Sequence, residues 1–305
     1  MNATVSVALA MFASMVLLGS AVVLGPVNRA YAHTFQGGES AEFLTMVQVI
    51  EVQASLAAEN LSDPDIAEHH VEHASEALTD HAIEEIAERN ERIANDLPAS
   101  LGELEAAISS GASADEVDLD LRAVSDLLAE ATQVRIEEPQ LNNSTVRAVV
   151  VANLVNEALE HYGEAVGFEG SMTDMSSMNM TEPGMSGMES GSMKGSVTIV
   201  NVANYQSSLA FAEKAQELYA EIRQSAIEGT DSAVEELDAA FPDFVSAIED
   251  EASPMEVMRV AHVEIHPSLM TAYDLQIIPE FPLPLLVAIP ALAGAILYGR
   301  FIRKG

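Results

Sequence analysis

Apolar side chains return at three- and four-residue steps almost without interruption between residues 41 and 272, and only a helix collects residues so spaced on one face. Period-two alternation is nearly absent. The filling residues are chiefly Ala, Leu and Glu, which favour helix locally. Helices are therefore expected over 40–60, 64–78, 82–96, 99–109, 114–135, 145–166, 205–226, 231–250 and 254–272, with Ser62 or Asp63 as a cap and Pro64 in the first turn of the second. The run 197–202 reads as the one short strand. The fold class this implies is all-α.

A second regularity divides the helices. Ala107, Ile108, Ala112, Ser113, Glu116 and Val117 reappear as Ala247, Ile248, Ala252, Ser253, Glu256 and Val257, each displaced by 140 residues. The same displacement sets Leu101 and Leu104 on Phe241 and Phe244, and Val71 and Leu78 on Phe211 and Leu218. This predicts two duplicated antiparallel helical bundles, 33–138 and 139–277. The segment 145–166 would open the second bundle, leaving 168–196 as an inserted loop.

Both ends of the chain carry membrane signals. Residues 5–24 are apolar and Ala30-Tyr31-Ala32 follows, the pattern of a signal peptide, 1–32, cleaved after Ala32. No Lys or Arg precedes the apolar run, and its length also suits an uncleaved anchor. At the other end, Pro279-Glu280-Phe281-Pro282 opens an uncharged run over 281–299, long enough for a transmembrane helix across a hydrocarbon core of about 30 Å. Arg300, Arg303 and Lys304 follow and place the tail on the cytoplasmic side. The body would then be exported and held to the membrane at the cell surface.

Ile278-Pro279-Glu280-Phe281, the apolar segment and the basic end resemble the PEF-type sorting signals (PEF-CTERM and PEFG-CTERM) of archaeal surface proteins, over 278–305 alone. The resemblance implies recognition by an archaeosortase-type processing enzyme near Pro279-Glu280-Phe281. Pro282 stands where the PEFG subgroup has glycine. The body from His33-Thr34-Phe35 is also similar to exported proteins of ammonia-oxidising archaea.

Charge narrows the partners. Asp and Glu number 48 against 13 Lys and Arg, a formal net charge of −35, so nucleic acid and anionic lipid surfaces are poor partners for the body. Solubility in a saline exterior and concentration of cations at the surface are both consistent with such acidity. The absence of Cys excludes disulfides, thiolate metal sites and cysteine nucleophiles together. Asn60, Asn142, Asn143 and Asn179 open glycosylation sequons that export would make accessible.

The most distinctive stretch is 170–195, where Met172, Met175, Met178, Met180, Met185, Met188 and Met193 stand among Gly, Ser, Asn and Thr. Such a background builds no core, so these methionines are not expected to pack. Thioether sulfur is a soft ligand needing no deprotonation, and Met-x-x-Met and Met-x-Met spacings suit Cu(I). In composition the stretch resembles the Met-rich tracts of extracytoplasmic copper-handling proteins. An adaptable apolar surface for a partner, or a plain linker, are the alternatives.

Histidines form a second constellation. His69, His70 and His73 share one expected helix, with His69 and His73 on one face at i, i+4, and His81 follows; such imidazoles suit Cu(II) or Zn(II), with Glu68, Glu72 and Glu76 nearby as oxygen donors. His262 and His266 repeat the spacing around Glu264, although Pro267 disfavours helix at His266. Cleavage after Ala32 would make His33 an amine-and-imidazole chelate. Polar surface or core histidine is the alternative for each pair.

Other classes find less support. The Glu-x-x-His signature of di-iron bundles is absent, and the reverse order at His69/Glu72, His73/Glu76, His81/Glu84 and His161/Glu164 loosely resembles imelysin-type metal-binding bundles without their glycine two residues before the His. No P-loop, dinucleotide glycine motif, Gly-x-Ser-x-Gly or His-Glu-x-x-His occurs, so no enzyme is expected. The expectation is a surface-anchored helical protein that captures or buffers copper; the alternative is a non-catalytic structural or interaction protein of the envelope with an acidic, cation-attracting surface.

Overall fold

A computed structural model of the chain describes residues 38–173 and 197–275, and every regular element among them is helical. The helices are α1 (Gly38–Glu59), α2 (Pro64–Ala77), α3 (Asp80–Ala87), α4 (Glu91–Ser109), α5 (Ala114–Arg135), the single turn α6 (Glu138–Leu141), α7 (Ser144–Val166), α8 (Val202–Ile222), α9 (Asp231–Glu249), α10 (Pro254–Arg259) and α11 (His266–Tyr273). A π-helical turn, Val260–Ile265, joins α10 to α11. No helix among the described residues is long and apolar enough to cross a membrane. The signal segment, the site of His33 and the C-terminal apolar run lie outside the described residues.

Local chemistry sets most boundaries. Asp63 accepts from the Ile66 N–H at the start of α2, with Pro64 in the first turn where a missing N–H costs nothing. Ser113 and Glu116 form a reciprocal capping box at α5, whose ends match the sequence expectation. Asn90 caps α4 by accepting from the N–H groups of Arg92 and Ile93. Helix therefore does not run through 82–96 as expected; it breaks before Asn90 and restarts at Glu91. It then continues through Pro98, because Leu97, Leu101 and Leu104 are buried on one face and that packing outweighs a proline's roughly 3 kcal/mol helix penalty. The stretch expected as a strand at 197–202 is a connection over 197–201 that enters α8 at Val202, and its Val200 and Asn201 N–H groups both bind the Ala165 carbonyl at the end of α7.

Two apolar clusters form. One gathers Phe43, Val47 and Ile50 of α1 with Val71 of α2, Leu97, Leu101 and Leu104 of α4, and Val124 and Leu128 of α5. The other gathers Val151, Leu154 and Leu159 of α7, Phe211 and Tyr219 of α8, Phe241 and Phe244 of α9, and Ile265 and Leu269 near the C-terminal end. Helix α1 borders both, and Leu44 packs against each. Arg135, 7% exposed, ties the end of α5 to Glu85 at 2.7 Å and Glu39 at 3.3 Å.

Equivalent elements keep the 140-residue displacement in detail. Helices α4 and α9 both span 19 residues, from Glu91 and Asp231, and Ser113 and Ser253 cap the helices that follow by accepting from Glu116 and Glu256. Both α4 and α9 end in the same two hydrogen bonds, Ala112 N–H to Ala107 O and Ala252 N–H to Ala247 O at 2.9 Å, Gly111 to Ile108 and Glu251 to Ile248 at 3.0 Å. The motif requires a left-handed residue, supplied by Gly111 at φ 70° but by Glu251 at φ 52°. Replacing Glu251 with Gly should therefore stabilise the protein by about 1 kcal/mol, while Gly111→Ala should destabilise it by a similar amount, both read as urea-midpoint shifts at constant slope.

Candidate functional site

The histidines of α2 lie where the two clusters meet. His70 is fully buried, and its Nδ1 lies 2.8 Å from the Gln53 side-chain amide of α1 while its Nε2 lies 2.9 Å from Gln206 Oε1 of α8. Gln206 donates to Asn60 Oδ1 at 3.0 Å, and Asn60 donates to the Leu56 carbonyl at 2.8 Å. A backbone carbonyl only accepts, so Asn60 and then Gln206 are fixed in orientation and the Nε2 of His70 carries a hydrogen. Ser207 completes the group, 3.1 Å from Gln53. Burial pushes the His70 pKa below its ordinary value, opposed by the hydrogen bond to Gln206. Both ring nitrogens are thus engaged by glutamines. His70, read from sequence as a ligand, is a tie between α1, α2 and α8, and the reason is its inward direction, one residue round the helix from His69.

His69 and His73 face a different set of groups. Their ring centres are 4.3 Å apart, and His161 of α7 comes within 5.4 Å of His73. His69 Nε2 and His161 Nδ1 each lie 3.2 Å from Asn204 Oδ1, and Asn204 donates through its amide nitrogen to Glu164 at 2.9 Å. Asn204 sits in the first turn of α8, held by its N–H to Asn201 Oδ1. Burial pushes the His161 pKa down to about 4, against the opposing Asn204 hydrogen bond and with the neighbouring His73 assisting. Glu164 is exposed and His69 and His73 are half-buried, so the group is open to solvent on one side. His161, Asn204 and Glu164 were not singled out by sequence as a site; His161 and Glu164 appeared only as one His-x-x-Glu pair among several. His81 lies apart on α3, 3.8 Å from Glu85.

The Met-rich stretch leaves and returns at this same end of α7. Met172 is 2% exposed and its sulfur packs where Gly163 has no side chain, a Cβ there standing 3.1 Å from it. The expectation that these methionines do not pack is therefore corrected for Met172, because Gly163 opens a niche in α7 that a thioether fills. Met175, Met178, Met180, Met185, Met188 and Met193 lie outside the described residues. On the return side, Val197 donates to the Glu251 carbonyl and Val200 to that of Ala165.

His262 and His266 form a third group, with ring centres 5.2 Å apart and His262 Nε2 2.8 Å from the Met172 carbonyl. His266 is helical at φ −59° and ψ −47° in spite of Pro267. The π-turn explains this: the His266 N–H reaches back to the Ala261 carbonyl, and the widened turn carries the helix into a proline that has no N–H to give.

Among the described residues no three His, Asp or Glu side chains are grouped so as to hold a metal ion as they stand. A cleft of about 240 Å³ beside Leu44, Leu141 and Val150 carries one cation, Arg147, which pairs with Glu221. No protein-family model matches the chain, and no curated protein and no solved structure matches it.

Proposed function

We propose that this is a copper-handling protein of the cell exterior, which captures or buffers the ion and performs no catalysis. The observation that carries the reading is that His69 and His73 of α2 and His161 of α7, helices that belong to different apolar clusters, collect near the end of α7 that the Met-rich stretch follows in sequence. Thioethers suit Cu(I) and imidazoles suit Cu(II), so a chain that carries both ligand types serves both oxidation states. Binding has to draw the imidazoles together, since the metal-free arrangement spends them on hydrogen bonds. The shared 140-residue displacement supports descent of the two bundles by duplication. A signal peptide over 1–32 and a PEF-type tail over 278–305, retained as a membrane helix or removed by an archaeosortase-type enzyme, would hold the body at the cell surface.

Isothermal titration of the purified full-length chain tests this. Micromolar or tighter affinity is expected for Cu(I) and for Cu(II), with the Cu(I) affinity lost when all seven methionines become Leu. Millimolar affinity, or no change on that substitution, would sink the reading. The full engagement of His70 favours a second reading, a structural or interaction protein of the envelope in which histidines join bundles. Under it, deletion of 174–193 leaves metal content unchanged and alters the proteins that co-purify.

A further inference from the structure

We infer that Asn142 is the asparagine that receives an N-linked glycan once the chain is exported, a step that rests on the cell-exterior placement proposed above, and that Asn60 and Asn143 stay bare. All three open Asn-x-Ser/Thr sequons among the described residues and offer the same chemistry. The side-chain Nδ2 attacks the anomeric carbon of a glycan carried on a lipid phosphate. The C–N bond forms as the C–O bond to phosphate breaks, the phosphate leaves with that electron pair, and the Nδ2 proton passes to a base of the transferase. An amide nitrogen is a weak nucleophile, because resonance gives its lone pair to the carbonyl. The transferase therefore has to hold and distort the whole amide, and it also has to reach the hydroxyl two residues on.

Asn60 offers neither end of its amide. Its Oδ1 accepts from Gln206 of α8 at 3.0 Å and its Nδ2 donates to the Leu56 carbonyl at 2.8 Å, within the chain of bonds that leads to His70. Asn143 is half-buried, and its Oδ1 accepts from the N–H groups of Thr145 and Val146 at 2.9 Å and 3.4 Å as the cap of α7. Donors at a helix N-terminus draw electrons into that carbonyl and so away from Nδ2. The hydroxyl its sequon needs, on Thr145, is spent on the Tyr273 carbonyl at 3.2 Å.

Asn142 differs on each count. It is exposed, and its Nδ2 donates to the Glu138 carbonyl at 3.1 Å in a bond that is itself exposed. The hydroxyl of its sequon, on Ser144, makes no hydrogen bond among the described residues and is half-exposed at the first position of α7. Before it stands α6, a single turn with no fully buried residue and no side-chain cap, a segment of the kind that opens locally at low cost. Modification of Asn142 spends none of the bonds that cap α7. Leu141 lines the apolar cleft beside Leu44 and Val150, so the glycan stands at the rim of that cleft.

The test is read on one tryptic peptide, 136–147, released by cleavage after Arg135 and Arg147, which contains Asn142 and Asn143 but neither Asn60 nor Asn179. The overlapping sequons can be separated: Ser144→Ala destroys that of Asn142 and keeps that of Asn143, whereas Thr145→Ala does the reverse. The full-length chain and both variants, purified from the cells that make the protein, are compared by glycopeptide mass spectrometry. The peptide should carry a glycan mass in the unaltered chain and in Thr145→Ala, and lose it entirely in Ser144→Ala, with Asn60 unmodified in all three. Loss of the glycan in Thr145→Ala, its retention in Ser144→Ala, a glycan on Asn60, or a bare peptide in chain recovered from the cell surface overturns the inference while the copper reading stands. Recovery of the chain only inside the cell removes the exterior placement together with the inference.

Discussion

Truncating Phe211 to Ala should cost about 3–5 kcal/mol of stability, a large effect for one side chain. Phe211 is fully buried on α8 within the second cluster, next to Ala212 and Ala215, whose small side chains offer little to fill the void. The loss combines the transfer of an aromatic ring with the cavity left behind. The ring also lies 5.3 Å from that of His161, so it shields the histidine from water. Urea denaturation should show a lowered midpoint at an unchanged slope, and the His161 pKa should move back toward its ordinary value as solvent enters. An intact midpoint would mean that the α7–α8 core is not packed as described.

Acidification should cost the metal-free protein roughly 3 kcal/mol through His161 between pH 6.5 and pH 4. Its folded-state pKa is lowered from 6.5 to about 4, chiefly by burial, so within that window the unfolded chain binds a proton that the folded chain refuses. Stability therefore falls as pH falls through the window. His70, shifted the same way by burial, adds to the slope. The 48 acidic residues titrate over part of the same range, but they do so equally in a His161→Leu variant. The difference between the two proteins' urea-derived stabilities, measured in chelator, should thus approach a slope of about 1.4 kcal/mol per pH unit near pH 5. Parallel curves would show that His161 is protonated as readily in the folded state as outside it.

Much of the fold was legible because its determinants are local. The capping box of Ser113 and Glu116 lies within four residues, and α5 begins and ends where the sequence reading places it. The same holds for Asp63 before Pro64. Errors arose where a long-range term outweighed a local one. Pro98 reads as a break, yet the buried row of Leu97, Leu101 and Leu104 holds α4 together across it. Helix over 254–272 is expected in spite of Pro267, and it forms; what the sequence does not show is the π-turn that carries the chain through at His266.

The candidate site divides along the same line. Sequence spacing alone set His69 and His73 on one face of a helix, because a residue turns about 100° with each step of an α-helix; it counted His70 as a ligand with them. It also isolated the Met-rich stretch and the all-helical pattern. Only the tertiary structure brought His161, which lies 88 residues beyond His73, beside that face, and only it put Asn204 between the rings. It alone buried Met172 against Gly163 and gave both nitrogens of His70 to glutamines. The reason is physical: periodicity states which residues share a face of one helix, whereas the partner of that face is chosen by how two apolar clusters settle against a common α1.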